Sequence, residues 1–231
     1  SNSFNYFGRK FVYSNDLSKI LLFRAGQTLL SQNGGNSWSI LVTVGGTYDG
    51  DITPSGKILY AINNGSNLTV EEVSTGGTRK VIKTFTEQNL TAYGLEMISD
   101  NVGYYFALDQ TNNEVHAFKT TDGWNTYSFK GKFTNPITVI GQGLYFNIPA
   151  TDTIYVNLKN TSNSSNSSNI IYQSFDGGTT WTTSTIIPAK QGGTTDKLQG
   201  MHFFDSKSFI SVWQDGRVHL NKELKGGSTP S

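Results

Sequence analysis

The stretch Ser174-Phe175-Asp176-Gly177-Gly178-Thr179-Thr180-Trp181 reads S-x-D-x-G-x-T-W. Asp176 can fold its carboxylate back onto the backbone N–H groups that follow it, as in an Asx-turn. Gly177 and Gly178 supply the positive-φ positions a tight hairpin requires. Ser174 and Thr180 carry hydroxyls that bond across the turn, and Trp181 opens the next strand as a packing anchor. The pattern recurs. Ser31-Gln32-Asn33-Gly34-Gly35-Asn36-Ser37-Trp38 has Asn33 for Asp and Ser37 for Thr. Thr120-Thr121-Asp122-Gly123-Trp124-Asn125-Thr126-Tyr127 keeps Asp122, Thr126 and a terminal aromatic, with its glycine shifted by one. Thr75-Gly76-Gly77-Thr78 and Lys225-Gly226-Gly227-Ser228-Thr229 keep the turn alone.

Aligning Gly35, Gly77, Trp124, Gly178 and Gly227 gives intervals of 42, 47, 54 and 49 residues. That spacing is the range of a propeller blade. Each interval divides into short β-rich runs. They fall at 10–13, 20–23, 28–31 and 38–42; at 50–53, 58–62, 68–73 and 80–85; and at 93–98, 103–108, 114–119 and 127–130. A fourth set lies at 137–140, 144–148, 170–174 and 181–187, and a fifth at 200–204, 208–213 and 217–221. The fifth set lacks a fourth strand, and residues 3–7 have no other partner, so they are expected to supply it and remove two sheet edges. The expectation is one all-β domain over 1–231, a five-bladed β-propeller of four-stranded antiparallel blades. The blades are expected at 9–45, 46–88, 89–133, 134–190 and 196–225 plus 3–7, with a flexible Asn/Ser insert at 159–169. The alternative is a piece of a six- or seven-bladed protein.

The repeated turn resembles the Asp-box, or BNR repeat, of sialidase-like β-propellers. The resemblance implies that Ser31, Asn33, Gly35, Trp38, Asp122, Tyr127, Ser174, Asp176, Gly178 and Trp181 lock outer hairpins away from any substrate. Sialidases use an arginine cluster, which suits a carboxylate substrate. This chain has only Arg9, Arg24, Arg79 and Arg217, and Phe23-Arg24-Ala25-Gly26 departs from the family's F-R-I-P. A non-catalytic member is expected.

Composition narrows the function further. A net charge of +1 with no block of like charge argues against nucleic acid and polybasic membrane surfaces. No apolar run approaches the roughly 20 residues of a membrane span. The absence of cysteine removes disulfides, thiolate metal sites and thiol nucleophiles. Six N-x-S/T sequons, at Asn64, Asn67, Asn89, Asn160, Asn163 and Asn166, point to an exterior glycoprotein on a cell or virion surface.

Loops before the first strands and after the second strands converge on a propeller's channel. Tyr48, Asp49, Asp51, Tyr93, Glu96, Asp109, His202 and Trp213 are the expected ligand-binding residues there, with Asn63 and Asp152 nearby. Aromatic faces suit sugar rings or partner side chains. The expected function is recognition of a glycan or surface protein, without catalysis, cofactor or metal. The alternative is a sialidase-like glycoside hydrolase using Asp51 and Glu96, placed near the starts of adjacent innermost strands, as its carboxylate pair. A third reading is an assembly factor, which should carry a large one-sign patch. His116, His202 and His219 are not expected to converge.

Overall fold

The computed structural model describes residues 10–24, 26–43, 48–134, 144–158, 170–183, 198–203, 208–213 and 217–221. These form five antiparallel sheets, each laid down in chain order. Sheet 1 is β1 (Lys10–Tyr13), β2 (Ile20–Arg24), β3 (Gln27–Ser31) and β4 (Ser39–Thr43). Sheet 2 is β5 (Tyr48–Ile52), β6 (Ile58–Asn64), β7 (Asn67–Val73) and β8 (Arg79–Thr84). Sheet 3 is β9 (Leu90–Met97), β10 (Gly103–Asp109), β11 (Glu114–Thr120) and β12 (Ser128–Thr134). Sheet 4 is β13 (Leu144–Ala150), β14 (Thr153–Leu158), β15 (Ile170–Ser174) and β16 (Thr182–Thr183). Sheet 5 has three strands, β17 (Leu198–Phe203), β18 (Phe209–Trp213) and β19 (Val218–Asn221). The described residues thus complete four four-stranded units rather than five. Segment 3–7, expected to finish the fifth, lies outside them, as does the insert 159–169.

Burial on both faces explains the unbroken apolar runs at the second strands. In β6, Ile58, Tyr60 and Ile62 pack toward Val12, Leu21 and Phe23 of sheet 1. Their neighbours Leu59 and Ala61 join Leu95, Tyr105, Phe118 and Trp124 of sheet 3. In β10, Tyr104 and Phe106 turn the other way, toward Phe146, Ile154 and Val156 of sheet 4. Phe106 and Phe146 stack at 4.0 Å. A Cβ at Gly94 would collide with the Phe146 ring, so only glycine admits this stack. First strands meet in chain order, β1 on β5, β5 on β9, β9 on β13 and β13 on β17.

The fourth unit corrects the strand assignment. Its first strand is Leu144–Ala150 and its second is Thr153–Leu158, where the sequence suggested 137–140 and 144–148. Pro149 cannot donate to the ladder and interrupts the alternation, and the register slips between Asn147 and Ala150. The true turn is Thr151-Asp152, fixed by Tyr104 Oη donating to Thr151 O at 2.7 Å and Gly177 N donating to Asp152 O at 3.0 Å. Residues 137–140 lie outside the described set.

The sheets have two rims. First-to-second and third-to-fourth strand turns share one, the turn rim. Second-to-third hairpins and the links between sheets share the other, the loop rim. On the turn rim Ser174 Oγ donates to Asp176 Oδ1 (2.8 Å) and accepts Gly178 N (2.8 Å), while Asp176 accepts Thr180 N and Thr180 Oγ1. Thr120, Asp122, Trp124 and Thr126 repeat these bonds, and Ser31, Asn33, Gly35 and Ser37 do so with an amide. Trp38 and Trp181 donate Nε1 to Gly35 O and Gly178 O. Tyr127 instead donates Oη to Glu87 Oε2 at 2.8 Å.

Candidate functional site: a charged cluster on the first strands

Strand alternation places Asp49 and Asp51 on one side of β5, with Gly50 between them on the other. A Cβ at Gly50 would sit 2.7 Å from Phe23 Cζ, so glycine lets sheet 1 approach closely. Both carboxylates point at β9, whose outer edge has no partner strand in its sheet. Asp49 Oδ2 accepts Leu95 N at 2.9 Å, and Asp51 Oδ2 accepts Met97 N at 2.6 Å. Asn63 Oδ1 takes Ala92 N at 2.7 Å. Side chains of sheet 2 thereby satisfy edge N–H groups that a β-ladder would otherwise fill.

Lys10 joins three sheets through one ammonium. From β1 it reaches Asp49 Oδ2 at 3.1 Å, Glu96 Oε1 at 2.8 Å and Leu95 O at 2.9 Å. Three carboxylates share this single cation. Burial costs Lys10 its charge, but Asp49, Glu96 and Asp51 outweigh that and hold it protonated well above the ordinary lysine range. Burial pushes Glu96 up to about 8 and Asp51 up to about 6, opposed by Lys10 and reinforced by neighbouring carboxylates.

Placement corrects several expected roles. Asp51 and Glu96 come together, yet they stand near the ends of β5 and β9, not at their starts. Asp51 is buried and bonded to Ile52 N as well as Met97 N, so it is not a mouth residue. Tyr93 is partly buried and packs against the core between sheets 3 and 4. Asp152 lies on the turn rim, 3.5 Å from Lys119. Asp109 stands on the loop rim, where its carboxylate closes the β10–β11 turn by accepting Thr111 N, Asn112 N and Asn112 Nδ2. Tyr48, His202 and Trp213 fall on β5, β17 and β18, but their side chains are outside the described part. Asn64 and Asn67 bound the β6–β7 hairpin, and Asn89 sits at φ 61° before β9; Asn160, Asn163 and Asn166 are outside the described residues.

Two features were not legible in the sequence. Lys10 was missed because its partners lie 39 and more residues away. Strand pairing also gathers ligand atoms of Asp109, Glu114 and His116 within 4.8 Å of one another. Those three types can hold a cation, but the Lys132 ammonium already sits 2.8 Å from Glu114 Oε2.

No protein-family model matches the sequence, and no curated protein matches it significantly. Among solved structures, the chain is similar to a gluconolactonase from Xanthomonas campestris, at a TM-score of 0.57 and 8% identity over 95% of this chain and 77% of that one. It is also similar to the SapL1 lectin in complex with alpha methyl fucoside, at 0.56 and 12% over 95% and 81%. Identities this low speak for architecture alone. The sheets described above and these two β-propeller neighbours agree: the chain is an all-β propeller built from four-stranded antiparallel blades.

Proposed function

We propose that this chain is an exterior recognition module that binds a glycan or a protein partner at the channel face and performs no catalysis. The observation that carries this reading is the fate of the acidic pair. Asp49 accepts Leu95 N, and the two oxygens of Asp51 accept Ile52 N and Met97 N, so both carboxylates act as caps on neighbouring backbone, which supports a structural role for them. A lectin among the neighbours makes sugar the first ligand to test. The near-neutral charge disfavours a nucleic-acid partner. The sequons at Asn64, Asn67 and Asn89 support an extracellular or virion-surface location. The fold in this reading has five blades, with residues 3–7 as the fourth strand beside β19; the three described strands of sheet 5 support it. The shared hydroxyl bonds of the three turns, to a carboxylate in two and to the Asn33 amide in the third, support kinship with the Asp-box propellers.

A glycan array run beside a panel of chromogenic glycosides tests the reading. Binding without turnover is expected. Turnover abolished by Asp51→Asn or Glu96→Gln would reverse it. One observation favours that second reading, a glycoside hydrolase. Glu96 is pushed up to about 8 beside Asp51, and neighbouring carboxyls of unequal acidity are what an acid–nucleophile pair needs.

A further inference from the structure

The β10–β11 hairpin sets two acids against each other on the loop rim. Strand register puts Asp109 directly opposite Glu114, and Lys132 of β12 opposite His116. Glu114 and His116 are two residues apart on β11, so alternation places all four side chains on one face of sheet 3. Like charges directly opposite one another destabilise a sheet, so this corner calls for a cation. Ligand atoms of Asp109, Glu114 and His116 lie within 4.8 Å of one another. Among the described residues no other three such side chains are gathered so closely.

His116 supplies an independent sign of a ligand. Its Nε2 is buried and makes no hydrogen bond, although Glu114 Oε2 stands 3.5 Å away. Phe129 holds the ring edge to face at 5.5 Å, and Phe118 lies 6.4 Å from it. A buried ring nitrogen without a partner is costly, and a metal ion is a partner that an imidazole and two carboxylates can share. Asp109 accepts Thr111 N, Asn112 N and Asn112 Nδ2, which keeps it ionised. Those three bonds leave one of the roughly four acceptor positions of a carboxylate. Lys132 stands 2.8 Å from Glu114 Oε2, but its side chain is 51% exposed. Such an ammonium leaves for water at little cost. It also cancels the charge of one carboxylate, where a divalent ion cancels both.

We infer that Asp109, Glu114 and His116 form a binding site for a divalent transition-metal ion, which displaces the Lys132 ammonium from Glu114. Nitrogen among the donors favours zinc or cobalt over magnesium and calcium. Zinc holds such ligands at about 2.0–2.2 Å, which sets them roughly 3–3.5 Å apart and leaves Asp109 on the order of 1 Å to close. Glu114 and His116 already stand at 3.5 Å. The site is separate from the cluster around Lys10 and does not rest on the recognition reading.

The chain, stripped with a chelator and dialysed, is titrated with Co2+ and with Zn2+. One equivalent is expected to bind and to raise the unfolding midpoint, and Mg2+ is not expected to compete. His116→Gln and Glu114→Gln should each weaken binding by at least about tenfold, since losing even an outer partner of a metal ligand costs that much. His116→Gln should also alter the visible absorption of bound Co2+. Lys132→Met should tighten binding about two- to fivefold, the share of a half-exposed ammonium. Unfolding midpoints without metal confirm that each variant folds. No binding, or binding that both glutamine variants leave unchanged, would overturn the inference. Equal competition by Mg2+ would remove the imidazole from the site and overturn it as well. Unchanged affinity in Lys132→Met would overturn the displacement. Glycan binding is read separately, so its failure leaves this result standing.

Discussion

The turns at 120–127 and 174–181 make the same bonds from different residues. In both, a hydroxyl accepts the N–H four residues on, and an aspartate accepts a threonine N–H and hydroxyl. Of their two left-handed positions, one differs in residue type. Gly178 takes φ 90° in one, and Trp124 takes φ 70° in the other. A non-glycine residue there costs about 1–2 kcal/mol. Trp124 offsets that by burying its whole side chain against Tyr105 and Phe85 and donating Nε1 to Met97 Sδ. The turn's shape thus belongs to the hydroxyl and carboxylate, while the glycine is one of two ways to occupy the left-handed position.

The largest test of that contrast is Trp124→Ala. It removes the burial and keeps the strain, so it should cost about 3–5 kcal/mol in denaturant unfolding. A loss under 1 kcal/mol would mean that the indole does not offset the strain. Next come Thr120→Ala and Ser174→Ala. Each leaves a buried N–H, of Trp124 or Gly178, without a partner, at about 1–3 kcal/mol. Equal losses, with Thr120→Ser close to wild type, sharpen the equivalence; a difference of twofold or more breaks it.

Carboxylates extend the comparison, because Asp176 on the turn rim is shifted down while Asp51 and Glu96 on the first strands are shifted up. Asp51 and Glu96 have raised folded values, so their share of stability is present at low pH and is lost as pH rises through about 6 and 8. Unfolding midpoints should fall from pH 5 to pH 9, and Glu96→Gln should flatten the upper part of that fall. Asp176 is held down at about 2 by bonds from Thr180 N, Thr180 Oγ1 and Ser174 Oγ. Its share is present above the ordinary carboxylate range and is lost as pH falls through about 2. Asp176→Asn should shift the midpoint least at neutral pH, because Asn33 already fills this role, and should flatten the acid limb. A large neutral-pH loss would show that the charge, and not the acceptor geometry, closes the turn.

The repeat was readable because it is local. A Ser/Thr, an Asx and a Thr/Ser four residues later complete the turn without help from distant chain, so even the copy with Trp124 was recognisable. Sheets 1 to 3 were readable for a related reason, since their strands alternate or run apolar between strong turn residues. Sheet 4 was misread where Pro149 hides the end of a strand and Thr151-Asp152 gives only a weak turn signal.

The sequence by itself determined the unit: its length, its turn chemistry and the two-faced burial of runs such as Ile58–Ile62 and Tyr104–Leu108. Tertiary structure decided what the charged residues do. Lys10, the Asp49 and Asp51 pair of β5, and Glu96 are far apart in the chain, and only the packing of three first strands brings them together. Whether a carboxylate is a free acid or a cap on a neighbour's edge depends on which N–H it meets. That is a property of how one sheet sits on the next, and no local pattern encodes it.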